Sequence, residues 1–290
     1  MRKYSAIVAA VFGSAWAIMP EKLQAIVEFI ELKVEGIPVT PVDAKVPTTY
    51  RNVGKVALLP LYGVISQKMN MMTNISGGTS TDEFGAMFDR AVGDPSIGAV
   101  VIDVDSPGGS VYGIHELASK IFNARGTKPI IAVANSLSAS AAYWLASAAD
   151  EVVVTHGGEV GSVGVIAAHT DYSEAEAKAG FKTTYVTAGK YKAEGNPHEP
   201  LADEARAAIQ SRVDEYYDMM TADIARNRGV SVLKVKSGFG EGRVVGAKES
   251  VERNMADRIG TLENVLARLT ASTPTPRRNK AALDLARISQ

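Results

Sequence analysis

The chain has no cysteine in its 290 residues. Disulfides, thiolate nucleophiles and cysteine-ligated zinc are therefore excluded together, and the absence fits a reducing compartment. No stretch reaches the ~18 consecutive apolar residues of a membrane span. Histidine is scarce, and His115, His156, His169 and His198 do not show the spacing of metal ligands. The H-E-x-x-H motif, the phosphate-binding P-loop and the G-x-S-x-G elbow are all missing. Neither sign of charge dominates: 31 basic residues face 32 acidic ones, so no global field draws the chain to nucleic acid or anionic membrane. What remains, 46% apolar and 22% charged, is the composition of a globular protein with one large domain of ~200–220 residues plus extensions.

The start, "MRKYSAIVAAVFGSAWA", pairs Arg2 and Lys3 with a weakly apolar run and an Ala-Trp-Ala that has the form of a cleavage site. Glycine and serines break that run, which favours a short amphipathic or buried helix over a signal peptide. Residues 20–34 predict an amphipathic helix opened by Pro20, with Leu23, Ile26, Val27, Ile30 and Val34 in one stripe. Residues 35–54 carry three prolines and two glycines and read as a linker. Residues 1–53 thus form a helical extension and linker, 54–270 the main domain, and 271–290 a mobile tail.

Within the main domain, "KVALLPLYGVIS" predicts a strand with a turn. A capped helix follows, with Phe84, Met87, Phe88 and Ala91 on one face. "IGAVVIDV" and "KPIIAVAN" are unbroken apolar strands, and "IHELASKIF" between them is a helix with Ile114, Leu117, Ala118 and Ile121 inward. The serine-rich "NSLSASAAYWLASAAD" reads as the next helix and "EVVVT" as the next strand. Such alternation predicts an α/β fold with a mostly parallel sheet covered by helices. A long helix over 203–229 should bury Ile209, Val213, Tyr216, Tyr217, Met220 and Ile224, and a final helix spans about 262–270. "GFGEG" at 238–242 reads as a turn.

Two segments carry chemistry. "DVDSPGGS" sets paired glycines after a buried strand, where backbone N–H groups can face a ligand without an intervening Cβ. Taken alone it is most simply a strand-to-helix turn. The serine-rich segment follows the next strand, so a parallel sheet brings both to the same edge, where open α/β sheets place their sites. A serine at a helix start gains from the positive end of the helix dipole. Its hydroxyl needs a base, either histidine or a lysine that burial has made neutral. Lys190 and Lys192 in "YVTAGKYKAEGNP" are candidates that the residues alone do not separate.

"DSPGGS", "SASAAYW", "GEVGSVGV" and "AGKYKAEGNP" occur in an order and spacing that resembles the signal peptide peptidase A family of serine peptidases, over about residues 54–270. More narrowly, the chain is similar to the phage and prophage members that act as head-maturation proteases. The resemblance implies a Clp/crotonase-like fold and a Ser/Lys dyad. It assigns Ser140 as nucleophile and Lys192 as general base, with the Ser162 hydroxyl orienting the lysine. Gly109 and Ala141 would give the oxyanion N–H groups. Many relatives have two glycines where this chain has Ala141-Ala142, and alanine keeps the N–H. Ser136 and Ser138 are then cap or packing residues.

The resemblance also implies a cofactor-free, metal-free serine endopeptidase that cuts extended polypeptide, such as scaffold or capsid segments. A homo-oligomeric ring with sites shared between subunits is expected, in the host cytoplasm or prohead, without nucleic acid or a stable membrane span. Substrate should pair with an exposed strand edge near the glycine turn. Competing readings are a signal-peptide-degrading peptidase, a Ser-His-Asp protease using His156 or His169, a crotonase-like acyl-CoA enzyme, and a non-catalytic scaffold.

Overall fold

A computed structural model describes residues 14–34, 46–68 and 78–272. The Ile30 and Val34 side chains, residues 35–45 and the tail beyond Ser272 lie outside what is described. The chain opens with strand β1 (Trp16–Ile18), helix α1 (Pro20–Val34) and strands β2 (Arg51–Val53), β3 (Val56–Tyr62), β4 (Val64–Ser66) and β5 (Gly78–Ser80). Next come α2 (Thr81–Gly93), β6 (Ala99–Ser106), β7 (Gly108–Ser110), α3 (Ile114–Asn123), β8 (Ile130–Ala139) and α4 (Ala141–Ser147). The remainder is β9 (Glu151–Val154), β10 (Glu159–Gly161), α5 (Ser173–Lys178), α6 (Asp203–Arg228), α7 (Val232–Gly238), β11 (Val244–Gly246), α8 (Ala247–Glu252), β12 (Arg258–Ile259) and α9 (Leu262–Ser272).

The main sheet runs β11-β10-β8-β6-β3-β2, with β9 beside the first half of β8 and β12 beside β9. Its inner pairs are parallel, and only β2 and β11 join antiparallel. Val100, Val101, Ile102 and Val104 of β6 are fully buried, because helices cover both faces. On one face α9 packs Val265 against Val101, Ile131, Val133 and Val153. On the other, Phe84 and Phe88 of α2, Ile114 and Ile121 of α3, and Trp144 of α4 form the main core.

A second sheet, β1-β7-β4-β5, grows from the ends of the first. Gly63 (φ 66°) separates β3 from β4, while Pro107 separates β6 from β7, which opens at Gly108 (φ 96°), so both strands turn out of the main sheet at the same edge. That edge is where Ser140 emerges from β8.

Three local expectations change. The Ala-Trp-Ala stretch is a buried strand, not a helix, because the open edge of β7 offers its backbone a ladder. Asn135–Ala139 is the end of β8, so Ser136 and Ser138 are strand residues and not caps; the helix starts at Ala141. Along α6 deep burial falls at Ala205 and then in the second half, through Met220, Thr221, Asp223, Ile224, Ala225 and Asn227. Ile209, Val213, Tyr216 and Tyr217 are only partly buried, Val213 and Tyr217 beside a cleft.

Candidate active site

β8 delivers Ser140 to the edge where β7 begins. Ser140 is fully buried and occupies the N-cap of α4 with φ 55° and ψ −118°, a conformation that costs a non-glycine residue about 1–3 kcal/mol. Its N–H donates to Gly161 O at 2.6 Å, and its carbonyl accepts from Trp144 N at 2.9 Å. The comparison with two other N-cap serines is informative. The Ser80 hydroxyl caps α2 by accepting from Glu83 N, and the Ser231 hydroxyl caps α7 by accepting from Lys234 N. The Ser140 hydroxyl caps nothing. It points instead toward Gly164 O at a loose 3.4 Å. A buried hydroxyl held in a strained backbone, and spared from capping, is available for chemistry.

The glycine pair of β7 lies against it. A Cβ on Gly108 would overlap the Ala17 carbonyl oxygen and come within 3.0 Å of Ser140 Cβ and of Ala139 O. A Cβ on Gly109 would collide with the Ile65 backbone, to which Gly109 is paired in the ladder. Both positions therefore require glycine, and the segment is a strand, not a plain turn into a helix. Ala141 opens α4, whose first N–H groups have no partner within the helix. Ala141 and Ala142 are fully buried, so only small side chains fit there.

Ser162 follows β10 on the other side of Ser140. It also has a positive φ (51°), is buried, and anchors its N–H to Arg243 O at 2.8 Å. Its hydroxyl makes no hydrogen bond among the described residues, and it lines a cleft of about 530 Å3 together with Ile18, Gly164, Val213, Tyr217 and Lys236. Lys236 in that wall is committed elsewhere: its Nζ donates to Asp218 at 2.6 Å and lies 5.3 Å from the centroid of the Tyr217 ring. The Asp218 hydrogen bond raises its pKa, which keeps the amine charged and unsuited to accept a proton.

Gly108, Gly109, Ser140, Ala141 and Ser162 thus converge. Lys192 is not among them. It sits in the fully exposed run Ala177–Lys192, where its N–H donates to Gly189 O at 3.1 Å. Lys190 in the same run pairs with Glu204 at 3.0 Å and with the Tyr191 hydroxyl, and these hydrogen bonds raise its pKa. Phe181, Tyr185, Val186 and Tyr191 display apolar surface along the run, with Val186 96% exposed. His156 is exposed, and His169 Nε2 lies 3.1 Å from Asn196 O; neither bonds the Ser140 hydroxyl, so the structure offers no Ser-His pair.

Sequence reasoning missed the frame that holds α4. Asp223 of α6, buried, accepts from Trp144 Nε1 at 2.9 Å and pairs with His115 Nδ1 at 2.7 Å. Asn227 donates to the Ser147 hydroxyl at 3.0 Å. Arg125 closes the far end of the helix by donating to the carbonyls of Ser147, Ala148 and Ala149. No motif marks these residues, since each acts from a distant part of the chain. No group of three or more His, Asp or Glu suited to a metal occurs among the described residues.

A family model described as Peptidase family S49 matches residues 123–273. Capsid assembly protease C of Escherichia phage lambda is 33% identical over 211 residues, 73% of this chain and 48% of that protein. Head-tail preconnector protein GP5 of Enterobacteria phage P21 is 34% identical over 210 residues, 72% of this chain and 42% of that protein. The chain thus spans less than half the length of either phage protein. Among solved structures, a membrane-bound stomatin-specific protease aligns with a TM-score of 0.47 at 13% identity, covering 78% of this chain and 88% of that one.

Proposed function

Because this chain belongs to peptidase family S49, we propose that it is a serine endopeptidase in which Ser140 is the nucleophile and Lys192 the general base. The observation that carries this reading is the buried Ser140 hydroxyl, excused from capping beside the Gly108–Gly109 strand. Neutral Lys192 takes the hydroxyl proton as Ser140 Oγ attacks a peptide carbonyl. The N–H groups of Gly109 and Ala141 hold the oxyanion of the tetrahedral intermediate. The protonated lysine then passes its proton to the leaving amine, and water hydrolyses the acyl-enzyme. Ser162 orients the amine.

An exposed ammonium is a poor base, so Lys192 has to be enclosed before it works. The apolar side chains at 181, 185, 186 and 191 support enclosure against a second copy of the chain. The cleft beside Ser162 supports a receiving pocket for a neighbour's lysine. We therefore place the active form in a homo-oligomeric ring whose sites are completed between subunits. The phage relatives support scaffold or capsid segments as substrates, and action in the prohead or host cytoplasm. No helix among the described residues is long and apolar enough to cross a membrane.

The test is labelling with a fluorophosphonate probe, followed by mass mapping, alongside cleavage of casein. Modification confined to Ser140, with no cleavage by Ser140→Ala, is the expected result. Unchanged cleavage by Ser140→Ala would remove the reading.

A further inference from the structure

The strand edge expected to be open for substrate is filled by the chain itself. β1 runs antiparallel to β7, with Trp16 opposite Ser110, Ala17 opposite Gly109 and Ile18 opposite Gly108. On its other side Trp16 exchanges both backbone hydrogen bonds with Ile166, at 2.8 and 2.9 Å. Met19 N–H adds a bond to Pro107 O at 3.0 Å. A short extended segment held by main-chain bonds on both edges is the manner in which a sheet binds a peptide.

Its side chains alternate as a strand requires. Trp16 and Ile18 pack with Leu23, Val64 and Ile166, away from the nucleophile. Ala15 and Ala17 enter the cluster that contains Ala141 and Ala142. The Ala17 carbonyl lies over the glycine pair, flanking the same point at Gly108 that sits 3.0 Å from Ser140 Cβ. Ala17 is therefore opposite the proposed oxyanion donor, with its side chain fully buried. Attachment of this segment is concentrated in β1, where Trp16 and Ile18 are buried, and is thin along α1. Of the described α1 side chains only Leu23 is deeply buried, so the large apolar groups that hold the segment are few: Trp16, Ile18 and Leu23.

We propose that Ala15–Ile18 is a resident occupant of the polypeptide groove, which a substrate strand must displace, and that the position held by Ala17 accepts a methyl-sized side chain. The occupant competes by mass action: an intramolecular segment that fills the groove most of the time lowers the apparent affinity for any other strand by the fraction of time the groove is open. This proposal rests on the reading of Ser140 as nucleophile and identifies what lies in that site before substrate arrives.

The test uses the full chain. A fluorescein-labelled peptide with the sequence of residues 13–20, GSAWAIMP, is titrated by anisotropy into Ser140→Ala and into Ser140→Ala carrying Trp16→Ser and Ile18→Ser. The expected result is about tenfold tighter binding to the latter, equivalent to about 1.4 kcal/mol, with a matching gain in kcat/KM for a fluorogenic peptide when Ser140 is present. Equal affinity, with a melting transition like that of the parent, would overturn the proposal. Should the double variant unfold, backbone hydrogen exchange on the unsubstituted chain decides. Covalent capture of Ser140 by an Ala-terminated peptidyl phosphonate should speed exchange at Trp16–Met19, and unaltered exchange there would refute displacement. The anisotropy arm needs no catalysis, so an inert Ser140 would defeat the peptidase reading and leave groove occupancy separately measurable.

Discussion

At Ser140 the backbone is strained and the hydroxyl is unused by the helix it caps, and both features separate it from the other serines of its segment. Ser138 shows the contrast. It is fully buried in β8, and its hydroxyl, shut off from solvent, has no hydrogen-bond partner among the described residues. An unpaired buried hydroxyl is a liability, so Ser138→Ala should raise stability by about 1 kcal/mol, read as a higher midpoint in urea. Gly109→Ala should behave in the opposite way. Its new methyl has no place beside the Ile65 backbone, and both stability and peptidase activity should fall, checked by thermal melting and casein cleavage. Among the lysines, Lys190→Ala should leave cleavage near wild type, because Lys190 is an exposed partner of Glu204. Lys192→Ala should lower kcat by about 10²–10⁴, the usual contribution of a general base.

The elements that frame α4 set the precision of the site. Removal of the Asp223 carboxylate leaves Trp144 Nε1 buried without an acceptor, which costs about 1–3 kcal/mol. Asp223→Ala should therefore melt earlier and lose kcat more than it raises KM. A second tie is sensitive to pH. Burial pushes the Asp257 carboxyl up, but hydrogen bonds from Arg228 and from Val152 N–H outweigh it and hold the group below its ordinary value. A depressed pKa stabilises the fold at pH values above the unfolded-state value of ~3.9 and ceases to do so as pH falls through the folded-state one. The stability advantage of wild type over Asp257→Asn, about 1 kcal/mol for a carboxylate that is 41% exposed, should be full near neutrality and shrink below about pH 4.

Much of this architecture was legible in the residues. Apolar runs such as Ala99–Ile102 announced a parallel sheet covered on both sides, and Phe84, Met87 and Phe88 announced the inner face of α2. The meeting of the glycine pair with the serine segment followed from strand order alone. Trp16–Ile18 was not legible as a strand, because a three-residue ladder leaves no periodicity and its partner lies ninety residues away. The partial exposure of the first half of α6 was not legible for a related reason: apolar spacing marks a face, not what covers it.

At the scale of the whole molecule, a base has to be brought to Ser140. The exposed apolar residues at 181, 185, 186 and 191 frame the lysine and fit an interface between copies. Phe181→Glu with Val186→Glu should shift sedimentation toward a smaller species and lower cleavage, while a melting transition persists. The central claim, a Ser140–Lys192 dyad assembled between subunits, is tested most directly by mixing two inactive full chains, Ser140→Ala and Lys192→Ala, with exchange of subunits. The account predicts that the mixture regains peptidase activity, about a quarter of the wild-type rate for random assembly. A mixture as inactive as its components, although subunit exchange is verified, would contradict it.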